Sequence, residues 1–346
     1  MTNDRKNSIV LDKLKRPIRD LRISVTDRCN FRCPYCMPAD IFGERYQFLP
    51  KSELLTFDEI ERIARIFVNL GVRKIRLTGG EPLLRNNIEE LIARLAAIPR
   101  VEDLTLTTNG FLLGDKAKAL KVSGINRITV SLDSLDDKVF AIMNGRGYNT
   151  KRVLDGIKVA EEVGLTPIKI NAVVQKGVNE HTIIDLARFC KDKGYIVRFI
   201  EFMDVGNLNG WNMDQVVPAK EVIKMINDQI PLEQIDENYR GEVANRYRYK
   251  DGNGEVGVIT SVTQPFCSDC NRARLTNEGK LMTCLFASGG TDLREPIRNG
   301  INDEDLQKII ENVWKARTDR YSEIRADLTE DERIASRKIE MYQIGG

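Results

Sequence analysis

From about residue 20 to about residue 230, short apolar runs alternate with longer segments whose apolar residues recur at helical spacing, and this alternation constrains the fold more than any other feature of the chain. The runs are 21–25, 74–78, 104–108, 127–131, 168–173 and 196–202, and windows such as 56–70, 88–97, 151–163 and 182–193 carry the helical pattern between them. Strands separated by helices predict a parallel sheet with right-handed crossovers. Six such units fall short of the eight that close a barrel, so the expected fold is α/β, an open partial (β/α)6 barrel of TIM type. Past about Pro231 the alternation gives way to a β-rich stretch with a hairpin signal at Asp251-Gly252-Asn253-Gly254. The expected organisation is a loosely docked polar and basic arm at 1–19, the barrel at 20–230, and a smaller β-rich, α+β region at 231–346 ending in Gly345-Gly346. A chain of 346 residues has room for both units.

Ligands of parallel α/β sheets bind outside the carboxyl ends of the strands, and the unusual sequence of this chain falls there. The first run leads into Cys29-Asn30-Phe31-Arg32-Cys33-Pro34-Tyr35-Cys36, a C-x3-C-x2-C triad. The second leads into Gly79-Gly80-Glu81-Pro82, the third into Thr107-Thr108-Asn109-Gly110 and the fourth into Ser131-Leu132-Asp133-Ser134. Three cysteines are one ligand short of a closed structural zinc site, and His181, the one histidine, is far away in sequence. A four-iron cube held by three thiolates would keep one iron open to a small molecule. Disulfides fit poorly: seven cysteines is an odd number, no spacing suggests a secreted scaffold, and no signal-peptide pattern precedes them. The expected location is the reducing cytoplasm.

A second triad, Cys267, Cys270 and Cys284, repeats the vacancy. A zinc ribbon and an open-cornered 4Fe-4S cluster both remain readings of it, the cluster fitting better because no fourth cysteine or nearby histidine completes a zinc site. Cys190 lies on an apolar helical face and reads as a core residue. Arg76, Lys169 and Arg198 interrupt apolar strands, where an unpaired charge is costly to bury. These three call for an anion, and arginine forks suit phosphate. Asn171 shares the face of Lys169 by strand alternation. A net charge of +2 is too small for a nucleic-acid surface, and no apolar run has the length to span a bilayer, so neither nucleic acid nor membrane is an expected partner.

The first triad, with an aromatic residue (Tyr35) before its last cysteine, and the Gly-Gly-Glu-Pro turn resemble the signature of the radical S-adenosylmethionine (SAM) superfamily. That resemblance implies a 4Fe-4S cluster on Cys29, Cys33 and Cys36 whose free iron chelates SAM, and reductive cleavage of SAM to methionine and a 5'-deoxyadenosyl radical. It implies SAM contacts from Tyr35, Gly80, Ser131 and Met203, with Asn109 near them. When the second triad, the run Cys267-Ser268-Asp269-Cys270-Asn271-Arg272-Ala273-Arg274-Leu275 and the terminal glycine pair are added, the chain resembles the GTP 3',8-cyclase family of molybdenum cofactor biosynthesis. The likeness runs over nearly all of the chain after the first dozen residues. It implies a second 4Fe-4S cluster on Cys267, Cys270 and Cys284, and a GTP site formed by Arg22, Lys74, Arg76, Thr107, Lys169, Asn171, Arg198, Arg272, Ala273 and Arg274. It also implies catalytic roles for Arg22, Gly345 and Gly346, the glycines threading into the active site. The implied reaction takes hydrogen from ribose C3' of GTP and joins C3' to C8, giving (8S)-3',8-cyclo-7,8-dihydroguanosine 5'-triphosphate. A homodimer, an electron donor and a downstream cyclic pyranopterin monophosphate synthase are the partners it implies. The rival readings are a radical SAM enzyme that modifies peptides or sulfatases, and a non-catalytic zinc scaffold or RNA-binding module.

Overall fold

A computed structural model describes residues 9–328, 332 and 338–345. The barrel part runs β1 (Asp20–Ser24), α1 (Phe57–Asn69), β2 (Lys74–Thr78), α2 (Ile88–Ala96), β3 (Asp103–Thr108), α3 (Leu113–Val122), β4 (Arg127–Ser131), α4 (Asp137–Asn144), α5 (Lys151–Glu162), β5 (Lys169–Val174), α6 (Ile183–Lys193) and β6 (Ile196–Glu201). After α7 (Ala219–Asn227) come β7 (Leu232–Ile235), β8 (Asn245–Tyr249), β9 (Glu255–Ile259), β10 (Arg272–Leu275), β11 (Lys280–Met282) and β12 (Thr291–Asp292). Helices α8 (Arg294–Arg298), α9 (Asp303–Ala316), α10 (Tyr321–Ile324) and α11 (Met341–Ile344) follow among the described residues.

The six strands β1 to β6 lie in sequence order and pair in parallel, as strand–helix alternation dictates. The segment after residue 230 extends the same sheet at both edges. β10 pairs in parallel with β1, and β9 pairs in parallel with β6. Antiparallel partners β11 and β12 continue one side, β8 and β7 the other. The twelve strands curl round one cavity without a ladder between the end strands β12 and β7, which makes the sheet an open partial barrel.

Strand alternation sorts the side chains to two faces. Leu21, Ile23, Ile75, Leu77, Leu104, Leu106, Ile128, Val130, Val197 and Phe199 point outward and form the core with the helices. The inward face is polar and carries Arg22, Lys74, Arg76, Thr107, Lys169, Asn171 and Arg198. Charges buried inside a barrel call for groups that neutralise them.

The helices are ended by local chemistry. Thr56 and Glu59 form a reciprocal capping box at the start of α1, with the Glu59 amide 3.1 Å from Thr56 Oγ1. Gly145 ends α4 at φ +60°, where an added Cβ would lie 1.9 Å from the carbonyl oxygen of Arg32 in the triad loop.

The described part of the N-terminal arm is firmly docked, contrary to the expectation of a loose one. Asp12 and Arg16 are buried and joined by a 2.6 Å ion pair, and Ile18 is buried beside them. The indole of Trp314 on α9 donates to the Arg16 carbonyl. The segment is polar for two reasons: Asp12 and Arg16 pair inside the fold, while Lys13 and Lys15 face water.

Candidate active site

The inward face and the loops at the strand ends enclose a cavity of about 660 Å³ lined by both cysteine triads. In the loop after β1, Cys36 and Met37 donate their amides to the Cys33 carbonyl at 2.9 and 2.8 Å, and Phe31 donates to Cys29 Sγ at 3.4 Å. The buried Arg32 guanidinium staples this loop by donating to the carbonyls of Cys29, Phe31 and Phe42. Burial, with the nearby Glu81 charge, pushes the Cys29 thiol up to about 12, and burial beside the other thiols raises Cys33 and Cys36 as well. Three crowded thiols that resist ionising are stabilised as thiolates by a cationic cluster.

The second triad has a different setting. Burial alone would raise Cys270, but the Arg272 and Arg317 guanidinium groups hold its thiol down at about 6. Cys284 is pushed up to about 11 by burial and accepts the Phe286 amide at 3.5 Å. Among the described residues no three cysteine, histidine or carboxylate side chains are gathered tightly enough to hold a single metal ion. A four-iron cube takes each thiolate at a separate corner, and so accepts a wider spacing than a single ion does.

Around the first triad, Tyr35 donates its hydroxyl to Asp133 at 2.8 Å, and Asp133 also accepts the Val173 amide. Burial raises Asp133 to about 6. Glu81 accepts from the Asn109 amide, the Thr108 hydroxyl and the Leu83 amide, and burial still lifts it to about 7. Asn109 donates to Asn30 Oδ1 at 2.7 Å and reaches Cys29 Sγ at 3.8 Å. Tyr35, Asn109, Ser131 and Met203 all line the cavity. Gly80 does not. Its missing Cβ instead lets the turn approach the triad loop, since a Cβ there would lie 2.3 Å from the Arg28 carbonyl oxygen. The close backbone approach expected toward a ligand is made toward the cysteine loop.

Strand register arranges the basic residues in rows across the barrel wall. One row reads Arg272, Asp20, Lys74, Asp103 across β10, β1, β2 and β3, with charges alternating and Lys74 3.5 Å from Asp20. The next inward-facing row reads Arg274, Arg22, Arg76 and then Thr105, with no carboxylate among them. Like charges side by side on neighbouring strands repel. Burial depresses the pKa of Arg22, Arg76 and Arg274; the Arg22 charge adds to this at Arg76 and Arg274, and Arg272 adds to it at Arg22 and Arg274. Arg22 Nε, Arg76 Nε and Arg272 Nη1 are buried with no hydrogen-bond partner among the described residues. Arg76 Nη1 donates to Thr107 at 2.7 Å and to Thr129 at 3.2 Å, and Arg198 Nε donates to Asn171 Oδ1 at 2.9 Å. Burial holds Lys74 and Lys169 at about 8, Lys169 further depressed by Arg198. The middle of the barrel thus carries a local excess of buried positive charge.

The C-terminal tail enters from the rim. Arg274 donates to the Gly345 carbonyl at 2.6 Å, and Gly345, at φ +70°, packs so closely that a Cβ would fall 2.1 Å from Thr78 Cγ2. Gly346 lies outside the described residues. Tyr342 on α11 packs against Phe42 and shares a 2.8 Å hydroxyl hydrogen bond with Tyr46, tying the tail to the first triad's loop.

Like Gly80 and Gly345, Ala273 is a predicted site residue that does not line the cavity. Ala273 is fully buried in the core behind β10, because alternation sends it away from Arg272 and Arg274 on either side. Sequence reasoning missed Asp133 as the partner of Tyr35, as well as Arg127 and Arg246, which line the cavity and pair with Asp103 and Glu255. The signal was weak for both arginines: each follows an asparagine, Asn126 or Asn245, at the start of its strand, where a charge reads as a solvated end.

An open parallel barrel whose first strand ends in a C-x3-C-x2-C loop beside a Gly-Gly-Glu-Pro turn defines a radical SAM protein. Residues 23–190 match the family model described as the radical SAM superfamily, and residues 195–323 match that described as Molybdenum Cofactor Synthesis C. Curated proteins named GTP 3',8-cyclase from Acidothermus cellulolyticus and Staphylococcus carnosus are each 51% identical to the chain, over 97% of it and 99% of their own length. One from Staphylococcus epidermidis is 50% identical over 98% of the chain and 99% of its own. The chain belongs to the GTP 3',8-cyclase family. Among solved structures, SAM-bound SuiB of Streptococcus suis superposes with a TM-score of 0.61 at 17% identity, over 90% of this chain and 69% of that one, a likeness of fold.

Proposed function

We propose that the chain cyclises GTP to (8S)-3',8-cyclo-7,8-dihydroguanosine 5'-triphosphate, with GTP held in the barrel between two 4Fe-4S clusters. The observation that carries this reading is the uncompensated row Arg274, Arg22 and Arg76, buried between two cysteine triads in one cavity. A triphosphate supplies the missing charge, and Lys74, Lys169 and Arg198 stand in reach of the same space.

Cys29, Cys33 and Cys36 would hold the cluster that binds SAM, and Cys267, Cys270 and Cys284 a second one with an open iron. When bound, the first cluster and SAM supply a carbon radical able to take the hydrogen from ribose C3'. Tyr35, Gly80, Ser131 and Met203 are assigned to SAM, with the Gly80 turn acting through its backbone and its packing on the cysteine loop. Arg22, Lys74, Arg76, Thr107, Lys169, Asn171, Arg198, Arg272 and Arg274 are assigned to GTP. The chain's own contribution is to fix C3' near C8 and keep water from the radical, which the buried tail at Gly345 assists by closing the rim beside Thr78. A homodimer in the cytoplasm, an electron donor and a cyclic pyranopterin monophosphate synthase that consumes the product complete the proposal, by membership of the family.

The test is anaerobic turnover of the reconstituted chain with SAM and reductant, adding GTP, ATP or a peptide in turn. Release of 5'-deoxyadenosine is expected to require GTP. Equal release with ATP or with a peptide would remove the cyclase reading.

A further inference from the structure

The second cysteine triad is held by residues at the two far ends of the chain. Asp12, fully buried, lies 2.6 Å from Arg16 Nε and 3.4 Å from Arg317 Nη1. Each of these arginines reaches one cysteine of the Cys267-Ser268-Asp269-Cys270 turn. Arg16 donates to the Cys267 carbonyl at 2.7 Å, and Arg317 donates to the Cys270 carbonyl at 2.7 Å. Arg317 goes further, placing Nη2 3.2 Å from Cys270 Sγ. Its guanidinium lies over the Trp314 ring at 4.6 Å and pairs through Nε with Asp319, so its side chain is 1% exposed and has one position available.

From this geometry we infer that Arg317, held by Asp12 of the N-terminal segment, is a positioning residue for the second triad that donates to the Cys270 sulfur and sets the reduction potential of the cluster there. The inference rests on the second cluster proposed above. A hydrogen bond and a positive charge at a ligand sulfur stabilise the reduced, more negative cluster, and so raise its potential. Among the described residues no cationic side chain donates to a sulfur of the first triad: those sulfurs meet the Phe31 amide, the Asn109 side chain and, at Cys33, the Tyr35 side chain, while the nearby Arg32 spends its donors on carbonyls. The two clusters are therefore biased apart, the second being the easier to reduce. A residue that merely ordered the loop would affect cluster retention but not potential.

The test uses the full chain with Cys29, Cys33 and Cys36 changed to alanine, so that only the second triad binds iron, followed by potentiometric titration read by electron paramagnetic resonance. About four irons per chain are expected in this background. Arg317→Gln should keep that iron and lower the midpoint by about 59 mV, a tenfold change in the reduced-to-oxidised ratio at a fixed poise. Arg317→Lys, which keeps the charge without the fork, should shift it less in the same direction, and is the variant read if Arg317→Gln loses iron. An unchanged midpoint in the variants that hold iron would overturn the inference. A background chain that binds no iron would instead remove the second cluster, and the inference with it.

Discussion

At the scale of single residues, the site depends on what is missing as much as on what is present. Gly345→Ala would drive a Cβ into Thr78 and strain a left-handed backbone, so the tail should leave the barrel. The expected outcome is a loss of at least about tenfold in kcat with iron content unchanged, measured by steady-state turnover and iron assay on the same preparation. The lysines predict a pH dependence. Burial lowers Lys169 from 10.5 to about 8, so between those values the unfolded chain holds a proton that the folded, ligand-free chain has lost, and ligand-free stability rises with pH there. A triphosphate favours the protonated lysine and reverses this. GTP affinity should therefore hold up to about pH 8 and fall several-fold by pH 9, with proton uptake on binding in titration calorimetry. Most of these residues were legible from the sequence, because a charge inside an apolar strand is visible without coordinates. The orientation of Ala273 was legible too, from alternation alone. The Tyr35–Asp133 bond was not, since its partners lie 98 positions apart and only the fold joins them.

At the scale of elements, the cysteine loop is shaped by the helix and turn behind it. Gly145 closes α4 directly against Arg32, whose amide bonds the Asn144 carbonyl at 2.8 Å, so helix end and triad loop are one unit. Gly145→Ala should displace the loop and remove iron from the first triad while sparing the second, leaving about four of about eight irons by chemical assay. Retention of all the iron would show that the loop sets its own shape. Strands and helices were readable because apolar periodicity is local. The role of Gly80 was only half readable: a turn glycine signals close approach, but not whether a ligand or another backbone does the approaching.

At the scale of the molecule, the six-strand partial barrel was legible, and its enlargement by β9 and β10 was not. Those strands pair with β6 and β1 across long stretches of chain, and no local pattern records which edge a strand will join. The same holds for the N-terminal segment, whose Asp12 finds Arg317 305 positions away. This wrapping carries the second triad to the rim already occupied by the first and sets a row of unneutralised arginines between them. The central claim is that a radical formed at the first triad takes its hydrogen from the ribose of GTP held on those arginines. The most direct measurement is anaerobic turnover with GTP deuterated at C3', followed by mass spectrometry of the 5'-deoxyadenosine. The account predicts one deuterium in each deoxyadenosine released, in step with cyclised product. Deoxyadenosine released without deuterium, at a rate unchanged by leaving GTP out, would contradict it.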